Sequence, residues 1–146
     1  MGTIDLDVFA QMTSDLIGLE AWGAAVGHGS FVTMNFGRPL DDDPLTGEFF
    51  LWLYCCSWRI ERGDSVVAVC EDDRERMQAG VSLLNGQRLL RIDVDAVSLS
   101  ATFWFSTDIV LRTFSIYSTE VEHWMMRLPD GQWITAGPGW SILIGS

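Results

Sequence analysis

GEFFLWLYCCSWRIER, residues 47–62, is the stretch whose reading decides the fold. Between Glu48 and Arg59 lie ten uncharged residues, and seven of them are Phe, Trp, Tyr or Leu. Such a run is too short for a membrane helix, which takes about 20 apolar residues. Its aromatics favour a β-strand. Alternation along one strand puts Phe49, Leu51, Leu53, Cys55 and Ser57 on one face, and Phe50, Trp52, Tyr54, Cys56 and Trp58 on the other. Both faces are apolar, so both are expected to be covered. A core would take one, and a helix, a second layer or a partner chain the other.

Reading outward, Leu6, Phe9, Ala10, Thr13, Leu16 and Ile17 fall at helical spacing and predict a helix over 4–17 with Thr3 as its cap. Strands follow at 19–26 and 31–36, joined by the turn Gly27-His28-Gly29-Ser30. Residues 38–47, with two prolines and Asp41, Asp42 and Asp43, read as a loop. After a turn at 62–64 comes a strand at 65–70. A second helix is predicted over 72–84, capped by Asp72 or Asp73 and lined by Met77, Val81 and Leu84. Further strands are expected at 87–94, 97–105, 109–117, 122–128, 132–135 and 140–144. The fold class that results is α+β and β-rich: an antiparallel meandering sheet or open barrel with about two helices.

The order of features repeats. Gly18 and Gly86 are 68 residues apart, Ser30 and Ser98 are 68, Phe36 and Phe105 are 69, Trp58 and Trp124 are 66, and Asp64 and Asp130 are 66. This predicts an internal duplication within a single domain of 1–146. The pseudo-repeats would be 1–70 and 71–146, each a helix followed by about four strands. Chance matching in a chain with 14 Gly and 7 Trp is the competing explanation.

The chain of 146 residues carries a net charge of −11, and all nine of its basic residues are Arg. Without a basic cluster, nucleic acid is not expected as a partner. The acidic excess suits either a solvated surface or a basic protein partner. Met1–Asp7 has acids where the basic region of a secretory signal would stand. A cytoplasmic location is therefore expected, with no membrane association and with Cys55, Cys56 and Cys70 as reduced, buried hydrophobes.

Signals for chemistry are few. The dinucleotide, phosphate-loop and nucleophile-elbow glycine patterns are all missing from the sequence, and the cysteines lack C-x2-C spacing, so no cofactor and no metal is expected. His28 lies in a glycine-flanked turn, and Asp93 and Asp95 share a strand face. With Trp58, these are the first suspects for a pocket between sheet and helices, although an ordinary turn residue and a wet sheet face are the favoured readings of them. His123 has no carboxylate on its own face. Of the seven tryptophans, Trp52, Trp58, Trp104 and Trp124 sit within expected strands and most of them should be core, whereas Trp22, Trp133 and Trp140 lie near ends or turns. Trp and Tyr are favoured at protein interfaces, so some of the seven can mark a contact surface.

The order of Leu-x-Gly, a Gly-x-Gly-Ser-Phe-Val-Thr hairpin, a Trp-Arg strand, a second Leu-x-Gly, Phe-x-Phe strands and Pro-Asp-Gly resembles small bacterial domains of the immunity-protein type. That resemblance implies neutralisation of a toxin by binding, and it assigns no residue. The leading expectation is a non-enzymatic protein-binding domain that neutralises a basic toxin and rests as a homodimer. Its partner-binding residues would be Asp41, Asp42, Asp43, Trp52, Tyr54 and Trp58. The alternative is a small-ligand binder or enzyme with His28, Asp93 and Asp95 in its pocket.

Overall fold

The structure, a computed structural model, describes residues 2–146. In chain order its elements are β1 (Gly2–Ile4), α1 (Leu6–Met12), a single 3-10 turn (Ser14–Leu16), β2 (Ala21–Val26), β3 (Val32–Pro39), β4 (Gly47–Leu53), β5 (Cys56–Arg62) and β6 (Ser65–Val69). There follow α2 (Arg74–Ser82), β7 (Leu89–Val94), β8 (Ala101–Phe105), β9 (Ile109–Ser115), β10 (Trp124–Arg127), β11 (Trp133–Ala136) and β12 (Ile142–Gly145). The fold is β-rich α+β. Its strands form two antiparallel sheets in the orders β1-β12-β11-β10-β4-β3-β2 and β6-β5-β9-β8-β7, and neither closes into a barrel. Among the described residues no helix is long and apolar enough to cross a membrane.

The stretch at 47–62 is two strands rather than one. β4 belongs to the seven-stranded sheet and β5 to the five-stranded one, and the chain crosses at Tyr54-Cys55. The crossing shifts the alternation by one residue. Phe49, Leu51 and Leu53 are buried, and then Cys56, Trp58 and Ile60. Cys55 and Ser57 therefore leave the core face, and Trp58 enters it. A two-residue jump between sheets is invisible to a period-2 pattern when both faces are apolar.

The first helix is shorter than its periodicity predicts. Residues 2–4 pair with β12, so the cap is Asp5, whose Oδ1 accepts from Val8 N–H at 2.8 Å, and not Thr3. Asp73 caps α2 in the same way, accepting from Arg76 N–H at 2.9 Å. Asp72 instead accepts from Val69 N–H at 2.9 Å.

The second half repeats the topology of the first. After α1, the meander β2-β3-β4 lies in the seven-stranded sheet and the hairpin β5-β6 in the other; after α2, β7-β8-β9 lies in the five-stranded sheet and β10-β11 in the first. Each hairpin completes the opposite meander, through β4 with β10 and β5 with β9. Backbone bonds between the halves come in matched pairs. Gly18 N–H donates to Leu89 O at 2.7 Å and Gly86 N–H to Ala21 O at 2.7 Å. Ala21 N–H donates to Gln87 O at 2.9 Å and Leu89 N–H to Leu19 O at 2.9 Å. Between them sits the lone bridge of Glu20 with Arg88. Phe36 and Phe105 stack with centroids 6.4 Å apart, and buried residues of both sheets form one core. β1 of the first half and β12 of the second, which pair with each other, have no counterparts in the opposite half.

Gly80 lies in α2, where glycine ordinarily costs about 1 kcal/mol relative to alanine. Here a Cβ would stand 2.5 Å from Ala68 Cβ on β6, so the glycine sets the helix–strand distance. Gly80→Ala should therefore destabilise the fold by about 1–3 kcal/mol, the usual range for overpacking, despite its better helix propensity. Urea unfolding checks this, and adding Ala68→Gly should recover most of the loss.

Candidate functional site

The outer face of the seven-stranded sheet is aromatic. Strand register places Trp52 beside Thr33 on β3 and Met125 on β10, and Phe50 beside Arg127, which faces Trp133 on β11. Phe31 lies 6.0 Å from Trp52 and 4.9 Å from Tyr54 between ring centroids, and Trp52 lies 5.1 Å from Tyr54. Phe50 and Trp133 meet edge-on at 6.1 Å. Such geometries add about 0.5–1.5 kcal/mol per pair beyond area burial. These rings are half-buried, sheltered by one another. Neither helix is packed on them: α2 lies against β2 and β6, and α1 sends Phe9 to Trp124 in the core. The expected cover on the second face of the 47–54 segment is thus not supplied by either helix.

Acids flank this face. The β3–β4 loop carries Asp41, Asp42 and Asp43, all exposed. Asp43 orders the loop by accepting from Thr46 Oγ1 at 2.7 Å and Leu45 N–H at 3.3 Å. Asp41 and Asp42 are left facing water. Past the far end of β4, Tyr54 N–H donates to His123 O at 3.0 Å, which brings the Glu120–Glu122 segment alongside.

The residues expected to act together are divided. Trp52 and Tyr54 are on the aromatic face, but Trp58 is 1% exposed and donates from Nε1 to Ser30 O at 2.7 Å, so it has no surface to offer a partner. His28 is exposed in the β2–β3 turn, edge-on to Phe31 at 6.3 Å. Asp93 is on β7 of the other sheet, held by Trp104 Nε1–H at 2.9 Å and Arg91 at 3.0 Å. Asp95 lies beyond the end of β7. Its Oδ1 accepts from the N–H groups of Ser98 and Val97 at 2.8 and 2.9 Å, and these bonds, with that from the Ser98 hydroxyl, hold its carboxyl below the usual range. That is turn construction, and the two carboxylates do not converge. Alternation placed Phe50 on the face of Trp52 and Tyr54, although it was not named among the partner-binding residues. Sequence reasoning missed Phe31, Met125 and Trp133, and Trp133 needed the strand pairing.

Nucleophilic chemistry is disfavoured at Cys55 and Cys56. Burial pushes the Cys56 thiol up to about 12, with Cys70 and Cys55 adding to the rise. Burial, then Glu122, raises Cys55 as well. Both remain thiols at neutral pH. Among the described residues no group of three or more His, Cys, Asp or Glu is placed to hold a metal ion.

No protein-family model, curated protein or solved structure matches the chain.

The outer face of the five-stranded sheet differs in kind. Glu61 Oε2 accepts from Arg59 Nε–H at 2.7 Å and Arg112 Nε–H at 2.9 Å, and Trp104 lies under both Arg91 and Arg112. Burial alone would raise the Glu61 carboxyl, but the two arginines outweigh it and hold it below its ordinary value. A depressed folded-state value gives stabilisation that is present above the unfolded carboxylate range and is lost as pH falls through the folded value. Glu61→Gln should therefore cost about 1 kcal/mol at neutral pH, the upper end for a partly exposed pair. The difference from the parent should shrink toward zero in acid, as urea unfolding at pH 7 and pH 3 would show.

Proposed function

We propose that this protein acts without catalysis, by binding a basic protein partner on the aromatic face of its seven-stranded sheet. The single observation that carries this reading is a contiguous set of half-buried rings, Phe31, Phe50, Trp52, Tyr54 and Trp133, on a sheet face over which the fold lays no helix. Aromatic side chains supply large, rigid contact area at little entropic cost, which is why they dominate binding energy at interfaces. The acidic rim at Asp41 and Asp42, on a chain of net charge −11, selects a basic partner and speeds encounter. The resemblance to immunity-type domains makes a bacterial toxin the partner class we favour, neutralised in the cytoplasm.

A small-ligand pocket has weaker support, because His28, Asp93 and Asp95 lie apart and each carboxylate is engaged in local bonding.

The test begins with candidate basic partners identified from neighbouring genes and purified. Trp52→Ala with Tyr54→Ala should weaken the complex by about 30-fold or more, as loss of a hot spot does. Asp41→Asn with Asp42→Asn should instead slow association and flatten its salt dependence. A complex untouched by the ring substitutions would refute the reading. So would an isolated protein that sediments as a dimer and becomes monomeric when Trp52 and Tyr54 are removed, since that result gives the face to a second copy.

A further inference from the structure

The two helices stand differently toward the two edge strands: α2 packs directly on β2, whereas α1 faces β7 across a groove. β2 ends the seven-stranded sheet and β7 ends the five-stranded one. α2 and the residues after it close the β2 edge with polar side chains. Asn85 Oδ1 accepts from Ala24 N–H at 2.9 Å and Gln78 Oε1 from Val26 N–H at 3.1 Å. Arg74 donates to the carbonyls of Gly29, Val26 and Gly27 at 3.1, 3.1 and 2.7 Å.

At the same offset of 68 that relates Gly18 to Gly86 and the caps Asp5 and Asp73, the positions of Asn85, Gln78 and Arg74 are taken by Ile17, Ala10 and Leu6. None of these can satisfy a strand edge. The β7 edge does present such groups. Asp95 N–H donates to Ser100 O at 2.9 Å, and the register pairs Asp93 with Thr102, Val94 with Ala101 and Ile92 with Phe103. Bonded pairs alternate in an antiparallel ladder, so Ile92 and Val94 turn their N–H and C=O groups away from β8. Consistently, Ala101 N–H is taken by Thr113 Oγ1 at 2.8 Å on its other side. Among the described residues no side chain bonds the outward groups of Ile92 or Val94. Between α1 and β7 runs a groove of about 310 Å³, lined on one side by Leu6, Ala10 and Ile17 and on the other by Ile92 and Val94.

We infer that this groove receives one extended segment of a partner polypeptide, which adds a strand to the five-stranded sheet at β7. Backbone bonds to Ile92 and Val94 hold it, and its alternate side chains fill the apolar wall of α1. Its other side chains are basic. The α1 wall itself carries no charged side chain, and across the groove Arg91 is paired with Asp93 at 3.0 Å. The surrounding segment, residues 2–20, carries Asp5, Asp7, Asp15 and Glu20 and no Arg, so the approach to the groove favours positive charge. A second copy is the poorer occupant: it would bring its own α1 to the same place, and each copy carries −11. The groove is on the opposite sheet from the aromatic face, and it stands whether or not that face binds a partner.

The experiment titrates a blocked peptide of alternating Val and Arg into the isotope-labelled full chain. The amide signals of Ile92 and Val94 should shift and their hydrogen exchange should slow. Rebuilding the polar closure with A10Q and I17N should weaken binding by about tenfold or more, equivalent to about 1.4 kcal/mol. A10Q alone, at an exposed helix position, should give part of that loss with an unchanged unfolding midpoint. The same peptide N-methylated at the residues facing β7 should not bind. The proposal is overturned if the peptide does not bind, if Ile92 and Val94 are unmoved while other amides shift, or if A10Q with I17N binds as the parent does. Protection of Ile92 and Val94 that grows with protein concentration in the absence of peptide would also overturn it, because a second copy would then own the edge.

Discussion

The pairings of β4 with β10 and of β5 with β9 are the constraint on which the rest of the structure depends. Without them each three-stranded meander would end in an open row of backbone N–H and C=O groups at the centre of the molecule. Each half instead sends its hairpin across to close the meander of the other. The buried tryptophans reinforce the exchange. Trp58 on the five-stranded sheet bonds Ser30 O in the β2–β3 turn of the seven-stranded sheet, and Trp124 on the seven-stranded sheet bonds Leu99 O, beside β8 of the five-stranded one. Truncating either ring would cost about 3–5 kcal/mol from lost packing alone. These contacts are distant in sequence, so neither half has a complete sheet of its own to fold into.

Inside the molecule the two halves agree, and on the surface they do not. Leu16 and Leu84 are both fully buried, as are Trp58 and Trp124, and the cross-axis backbone bonds match to within 0.1 Å. The outer face of one sheet is a cluster of rings, whereas that of the other is a ladder of Arg, Glu and Trp. One edge strand is sealed by Asn85, Gln78 and Arg74, and its counterpart faces Ile17, Ala10 and Leu6. A shared core tolerates little change, because close packing makes each methylene felt. Surface positions carry no such restriction, and that is where the two halves differ.

Much of this was legible from residue order. Most of the strands, the second helix, the loop of three aspartates and the spacing of 66 to 69 residues between like features follow from periodicity and turn chemistry, whereas β1 and the break between β4 and β5 do not. Trp52 and Tyr54 could be placed on one face by alternation alone. Trp58 could not, because the alternation was carried through Tyr54-Cys55, where the chain changes sheets. The apolar groove at β7 was hidden for a different reason. Its signal is a contrast between residues 68 apart, and the contrast acquires meaning only once both helices are known to lie beside strand edges.

The sequence by itself determined that this is a β-rich α+β chain with two capped helices and a strand too apolar to stand bare. Local periodicity and capping depend on neighbours along the chain, so they can be read along the chain. Tertiary structure alone decided that the strands divide between two sheets, that Trp58 is core, that Asp93 and Asp95 do not meet, and that among the described residues no helix covers one sheet face and no side chain closes one edge. Those outcomes depend on which backbone groups find each other across more than 60 residues, and no local pattern encodes that choice.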